Sequence, residues 1–218
     1  THPDNPTTDV ITLTVQNTLG CSAIATRDIT IQPFIVPIFT PSIDVGCSDL
    51  EVTLTNTSTG GTLEFDWDFD NGQTFTTPSK DPFIHTFVNR GTSDRIFNVT
   101  LTAENPNGCR VSTSVPIRVH PKVEAKFTYV IDDVCEYPLP VTFTNASLFG
   151  TPVGNNTTFH WDYDYIWLGI PQEDTFNSGV PHQYSFFNAQ ADAVENYQVT
   201  LTVDQFHAIS GLTCSDDT

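Results

Sequence analysis

The stretch Leu63-Glu64-Phe65-Asp66-Trp67-Asp68-Phe69-Asp70-Asn71-Gly72 decides the fold. Leu63, Phe65, Trp67 and Phe69 alternate with Glu64, Asp66 and Asp68, the period-two pattern of a strand with one face buried. Asn71-Gly72 then supplies a turn, because both residue types tolerate positive φ. Phe97, Val99, Leu101 and Ala103 alternate in the same way with Asn98, Thr100 and Thr102. Thr and Val suit strands, and no stretch shows a convincing 3.6-residue period. Gly60-Gly61 and Asn107-Gly108 add further turns. The chain therefore reads as all-β, with about seven short strands in each ~90 residues, the density of an immunoglobulin-like sandwich.

The same pattern recurs. Val10-Ile11-Thr12-Leu13-Thr14-Val15, Asn98-Val99-Thr100-Leu101-Thr102-Ala103 and Gln198-Val199-Thr200-Leu201-Thr202-Val203 share it, and their leucines lie 88 and 100 residues apart. Cys21 and Cys109 are 88 apart, as are Cys47 and Cys135. Val52–Ser58 matches Val141–Ser147, and Phe65–Asp70 matches Phe159–Asp164. One repeat of roughly 90–100 residues is expected. Residues 1–36 are the C-terminal part of one repeat, with its last strands only. Residues 37–120 are a complete repeat, and residues 121–218 are a repeat lacking its last strand. The first segment is too small to fold alone and needs strands from upstream. The sequence has no Met, not even at position 1, and reads as an internal piece of a longer chain.

Composition removes several classes of function. The 218 residues carry 8 Lys+Arg against 26 Asp+Glu, a formal charge of −18. Phosphate binding needs clustered Lys and Arg, so neither nucleic acid nor a polybasic membrane contact is expected. Only 16% of residues are charged, while 16 Phe, 6 Tyr and 3 Trp supply a core, so this is not a disordered acidic tail. No apolar run approaches the ~20 residues of a membrane-spanning helix, and no direct membrane insertion is expected.

With strands, turns and repeat in place, the motifs resemble those of PKD domains, which are immunoglobulin-like modules. Their W-D-F-G-D-G element stands here as Trp67-Asp68-Phe69-Asp70-Asn71-Gly72, with Asp70 in place of Gly. In the third repeat it decays to Trp161-Asp162-Tyr163-Asp164-Tyr165, followed by an insertion through Asp174. The downstream H-x-Y/F element matches His85-Thr86-Phe87 and His182-Gln183-Tyr184, and the Y-x-V-T-L-T-V strand matches Phe97–Ala103 and Tyr197–Val203. Cysteines after the last turn (Leu19-Gly20-Cys21, Asn107-Gly108-Cys109) and before an early strand (Cys47, Cys135) are similar to repeats of very large Bacteroidota surface proteins. Gliding-motility adhesins exported by the type IX system are among these. The resemblance implies non-catalytic tandem β-sandwiches that give reach and stiffness on the exterior of a bacterial outer membrane. Implied partners are neighbouring repeats of the same chain and surface polysaccharide or other cell-surface molecules. It also allows a second role, as accessory modules of a secreted polysaccharide- or protein-degrading enzyme.

None of the five cysteines forms a C-x-x-C pair, which favours disulfides in an oxidising setting over a zinc ribbon or thioredoxin-type site. Two pairings are open. Equal spacing suits Cys47–Cys109 and Cys135–Cys214 within each repeat. Sandwich topology opposes it. Cys47 precedes the second strand at the bottom, while Cys109 opens the last strand at the top. A strand of 6–8 residues spans ~20–27 Å, but a disulfide needs Cα atoms within ~7 Å. The bottom of one repeat faces the top of the next, which favours Cys47–Cys214 between repeats, with Cys21 paired outside the fragment. The linker His120-Pro121-Lys122 is short and stiffened by Pro121, so a staple at each junction would make a rod.

No catalytic residue is expected, because no G-x-S-x-G, H-E-x-x-H or P-loop pattern occurs. Asp66, Asp68 and Asp70 are calcium candidates, since that ion prefers carboxylate oxygens. Side chains at i and i+2 lie ~7 Å apart along a strand, however, and a solvated strand face is the simpler reading. No other cofactor is expected. His85 and His182 share one repeat position and read as structural. Trp67, Phe69, Leu101, Trp161, Tyr163 and Leu201 are the expected core. Ile166, Trp167, Leu168 and Ile170 lie in an insertion without counterpart in the middle repeat. Exposed, they form a contact patch; packed back on the sheet, they are an extra hairpin.

Overall fold

The computed structural model describes residues 6–135, 137–150, 156–167, 170–176, 179–187 and 195–218, with side chains for the same residues apart from 164–167, 170 and 171. Seventeen strands and no helix make up the regular structure of these residues. The chain is all-β, as the alternation implies.

The first two strands, β1 (Thr7–Gln16) and β2 (Ser22–Ile31), form an antiparallel ribbon in which Thr7 faces Ile31 and Gln16 faces Ser22. Every residue of both strands is exposed, including Val10, Leu13, Ile29 and Ile31. An isolated two-stranded ribbon is marginal in water.

Eight strands follow: β3 (Phe39–Pro41), β4 (Val45–Cys47), β5 (Leu50–Asn56), β6 (Glu64–Asp68), β7 (Thr74–Thr77), β8 (Phe83–Phe87), β9 (Arg95–Glu104) and β10 (Arg110–His120). They make a three-stranded sheet, β3-β5-β8, and a five-stranded sheet, β4-β10-β9-β6-β7. In β6 and the turn after it, Phe65, Trp67 and Phe69 are buried while Glu64 and Asp68 are exposed. Trp67 is 1% exposed, and its ring meets Phe39 and Phe83 edge-on at 4.9 and 5.2 Å. Edge-to-face packing of this kind suits the ring quadrupoles. The turn after β6 needs left-handed backbone: Asp70 has φ 57° and Gly72 φ 85°. Asp70 tolerates it because Asp68 Oδ1 accepts the Asp70 N–H at 2.9 Å.

The last seven strands are β11 (Phe127–Ile131), β12 (Leu139–Asn145), β13 (Thr157–Trp167), β14 (Ile170–Phe176), β15 (His182–Phe186), β16 (Thr200–His207) and β17 (Leu212–Asp217). They form the sheets β11-β12-β15 and β14-β13-β16-β17. Phe143, Trp161, Tyr163, Phe186, Leu201 and Val203 are buried together between them. The insertion continues β13 and β14 as a hairpin, with Trp167 opposite Ile170 and a register shift after Asp162. The Ile166, Trp167, Leu168 and Ile170 side chains lie outside the described residues, so the patch is not placed.

The chain divides into two compact units, one of residues 1–43, 52–85 and 97–117, the other of residues 44–51, 86–96 and 118–218. Within the second, β4 pairs in parallel with the end of β10, Arg118 opposite Val45 and His120 opposite Cys47.

Candidate functional site

The second compact unit holds a disulfide between Cys47, at the end of β4, and Cys214, in β17. Their Cα atoms are 5.6 Å apart and 167 residues separate them in sequence. Cys214 is buried and Cys47 packs against the same apolar core. Cys21, Cys109 and Cys135 are exposed free thiols.

Short polar contacts surround the bond. Buried Asn89 donates from Nδ2 to the carbonyls of Ser93 and Val119, both at 2.8 Å, and its backbone N–H donates to Ser48 Oγ at 2.8 Å. Its own carbonyl accepts the Lys122 N–H at 3.0 Å. Side chain and backbone of this one residue together fix the 86–96 loop, the end of β10 and the segment leaving it. Fully buried Gln205 exchanges hydrogen bonds with the backbone of Gly150, donating at 2.7 Å and accepting at 3.2 Å. Gly150 must be small, since a Cβ there would lie 2.5 Å from Pro121 Cγ and 3.1 Å from the Thr92 carbonyl. Bonds of this kind leave buried groups satisfied, and breaking one strands its partner.

Beside them stand two histidines. The His120 and His207 rings stack with centroids 3.8 Å apart at 17°. His120 Nδ1 is hydrogen-bonded to Asp94 Oδ1 at 2.8 Å, and its Nε2 to Ser210 Oγ at 2.7 Å. Arg118 also binds Asp94, at 3.2 Å. Burial lowers the His207 pKa, the neighbouring His120 lowers it further, and Asp94 opposes both. Burial pushes the Asp94 carboxyl up, but its bonds and charge contacts with His120 and Arg118 outweigh this and hold it below its ordinary value. His207 Nε2 is buried with no hydrogen-bond partner among the described residues.

Among the described residues, Asp94, His120 and His207 alone bring three ligand-type side chains together, their ligand atoms all within 4.8 Å. Imidazole and carboxylate are ordinary zinc ligands. The geometry opposes joint coordination, because an imidazole lone pair lies in the ring plane and two nearly parallel, stacked rings cannot aim at one ion. The cluster is a polar clamp. No sequence signal marked it: its members come from the 86–96 loop, the end of β10, and the end of β16, and only folding juxtaposes them.

Elsewhere the structure places the other candidate residues plainly. Asp66 binds Arg110 and accepts Thr76 Oγ1 at 2.7 Å; Asp68 caps its turn; Asp70 Oδ2 accepts the Asn98 N–H at 3.1 Å. The three carboxylates are not gathered at a common point. His85 stacks on Phe69 at 3.8 Å. His182 Nε2 meets the Tyr163 hydroxyl at 2.6 Å, and Tyr163 also donates to Asp174 at 3.2 Å. Burial raises the Tyr163 pKa, with the Asp174 charge adding to it, so the phenol stays protonated. Burial lowers both histidines' pKa values. Phe69, Leu101, Trp161, Tyr163 and Leu201 are all buried.

Residues from β3 to the end of β10 carry the W-D-F-D-N-G turn, the histidine on β8 and the alternating β9 within two facing sheets. Residues 39–119 match the PKD domain family. The matched segment is a β-sandwich of two sheets, and the family it matches is immunoglobulin-like. No curated protein matches the chain in sequence. Three solved structures are similar over most of it. A tetra-tandem repeat in the extending region of a large adhesion protein is 15% identical with a TM-score of 0.30, the match covering 98% of this chain and 56% of that one. The chicken CNTN1 FN1–FN3 domains are 13% identical at a TM-score of 0.30, covering 94% and 76%. The protocadherin GammaB4 extracellular domain is 16% identical at a TM-score of 0.34, covering 97% and 37%. The chain thus spans little more than half the length of the first.

Proposed function

We propose that this chain is a run of non-catalytic repeats from a long extracellular adhesin or filament, and that its role is reach and stiffness at a cell surface. The repeats are 37–120 and 121–218, with 1–36 the last strands of a preceding one. The Cys47–Cys214 disulfide carries the reading, since it ties a cysteine of one repeat to a cysteine of the next. The recurrence of both cysteine positions at 88 residues, Cys47 with Cys135 and Cys21 with Cys109, supplies the same staple again along the chain. Such bonds persist outside the cell. The charge of −18 resists association between neighbouring fibres. The cysteine pattern supports the finer reading of a gliding-motility adhesin on the exterior of a bacterial outer membrane.

Pulling the chain from its two ends tests this. The disulfide shields the 167 residues between the cysteines from extension. At 3.3–3.6 Å per extended residue, that hides a contour length of about 550–600 Å. Under non-reducing conditions that length must stay hidden, and reductant must release it. Full extension without reductant would sink the staple.

A further inference from the structure

Two fasteners hold the β16–β17 hairpin to the strand pair β4–β10. The covalent one is the disulfide, which joins Cys214 of the hairpin to Cys47. The other is the histidine clamp. His120 stands opposite Cys47 in the β4–β10 register, and its ring lies 3.8 Å from that of His207, at the tip of the hairpin. Ser210, in the turn of the same hairpin, meets His120 Nε2 at 2.7 Å. Ser210, His120 and Asp94 thus form a hydrogen-bonded row. Such a row activates a serine to useful effect only beside donors for the developing oxyanion. Here the Gly211 N–H donates to the His207 carbonyl at 2.8 Å and the Leu212 N–H to Ser210 Oγ itself at 3.4 Å. The row grips the hairpin rather than poising a nucleophile.

The clamp is poorly placed to take up protons. His120 is 0% exposed and His207 6%. The charged groups facing the rings are Asp94, from the 86–96 loop, and Arg118 on β10, which already binds Asp94 at 3.2 Å. Asp94 lies 2.8 Å from His120 and 3.8 Å from His207. The hairpin supplies the neutral Ser210. Further along the chain, Lys122 is paired with Asp49 at 3.5 Å, and Asp216 accepts the Ala125 N–H at 2.8 Å. One aspartate shared with an arginine does not balance two imidazolium ions stacked in a buried site. A proton on His207 Nε2 would also find no acceptor among the described residues.

We propose that the clamp is an acid-sensitive second fastener: near neutral pH it holds the hairpin unaided, and below about pH 6 the hairpin stays docked only while the Cys47–Cys214 bond is closed. The bond keeps an undocked hairpin beside its seat, so redocking stays intramolecular and wins even when the clamp is weakened. Acid and reductant must therefore act together to free the hairpin. This inference rests on the disulfide of the reading above.

The test is amide hydrogen exchange of residues 207–214 at about pH 7.5 and about pH 5, corrected for the intrinsic pH dependence, the lower value lying between the imidazole and carboxylate ranges. Three chains are compared: the oxidised protein, Cys47→Ala/Cys214→Ala, and that double variant with His207→Phe added. Phenylalanine keeps the ring stack and leaves no buried nitrogen unpaired, but takes no proton. The oxidised protein is expected to exchange at rates within about twofold at the two pH values, and the double variant about tenfold or more faster in acid. The triple variant is expected to stay protected. Equal acid opening of the oxidised protein, no opening of the double variant, opening of the triple variant, or a double variant already unfolded near neutral pH by circular dichroism would each overturn the proposal. If peptide mapping finds no Cys47–Cys214 bond, the reading above fails; the double and triple variants, which lack that bond by design, still read the clamp.

Discussion

Replacing Cys47 and Cys214 together with alanine removes a cross-link that closes a loop of 167 residues. The loop-closure entropy returned to the unfolded chain corresponds to about 5 kcal/mol at 25 °C. The dependence on length is logarithmic. If only half of that loop unfolds while the rest stays folded, the figure falls by only ~0.6 kcal/mol. Removing a native disulfide typically costs about 2–5 kcal/mol, and that range is the expectation here. Alanine is the right replacement because Cys214 is 2% exposed, and a serine hydroxyl would be buried without a planned partner. The Asn89 bonds and the histidine clamp remain in the variant, so the circular dichroism of the folded chain is expected to be unchanged. Urea unfolding is the assay. The variant's curve and that of the reduced wild-type protein are expected to shift to the same lower midpoint. A loss below about 1 kcal/mol would refute the reasoning, since a long loop cannot close so cheaply.

Acid is expected to destabilise the chain. The His207 pKa is lower folded than unfolded, so the unfolded chain takes up the proton first. That contribution is whole above about pH 6.5 and is lost as pH falls below it, and Asp94 adds a further loss as pH drops through the carboxylate range. Melting temperature against pH checks this: His207→Gln must lessen the slope of the upper part of the curve, where His85 and His182 keep their own share, and a flat wild-type curve contradicts it. Trp161→Ala empties a site that is 2% exposed and is expected to cost about 3–5 kcal/mol in chemical unfolding. Gly60→Ala meets Ile35 Cα at 2.8 Å and the Phe34 carbonyl at 2.9 Å, at φ +128°. It is expected to cost about 2 kcal/mol or more, and a neutral result would show that the backbone there yields. Millimolar calcium is expected to leave melting unchanged, because Asp66, Asp68 and Asp70 serve Arg110, their own turn and Asn98; a rise of several degrees would contradict this.

The strands were legible because one-sided burial writes itself into sequence at period two. Leu63, Phe65, Trp67 and Phe69 are buried where that alternation puts them. The turn after Trp67-Asp68 was legible through Asn71-Gly72, although Asp70 also takes positive φ, held by a carboxylate that composition alone does not assign. Much of the candidate site was not legible. Asp94, His120 and the His207–Ser210 turn sit far apart in sequence, with no shared spacing, and none has a matching residue type at the corresponding repeat position. Asn89 likewise looks like an ordinary loop residue until its three donors find partners. The parallel pairing of β4 with β10 spans three residues, too short for any periodic signal.

The central claim is the pairing of cysteines across repeats, and proteolysis of the non-reduced chain followed by mass spectrometry tests it most directly. The account predicts a linked peptide pair containing Cys47 and Cys214, which reductant separates. A linked pair containing Cys47 and Cys109 would contradict it.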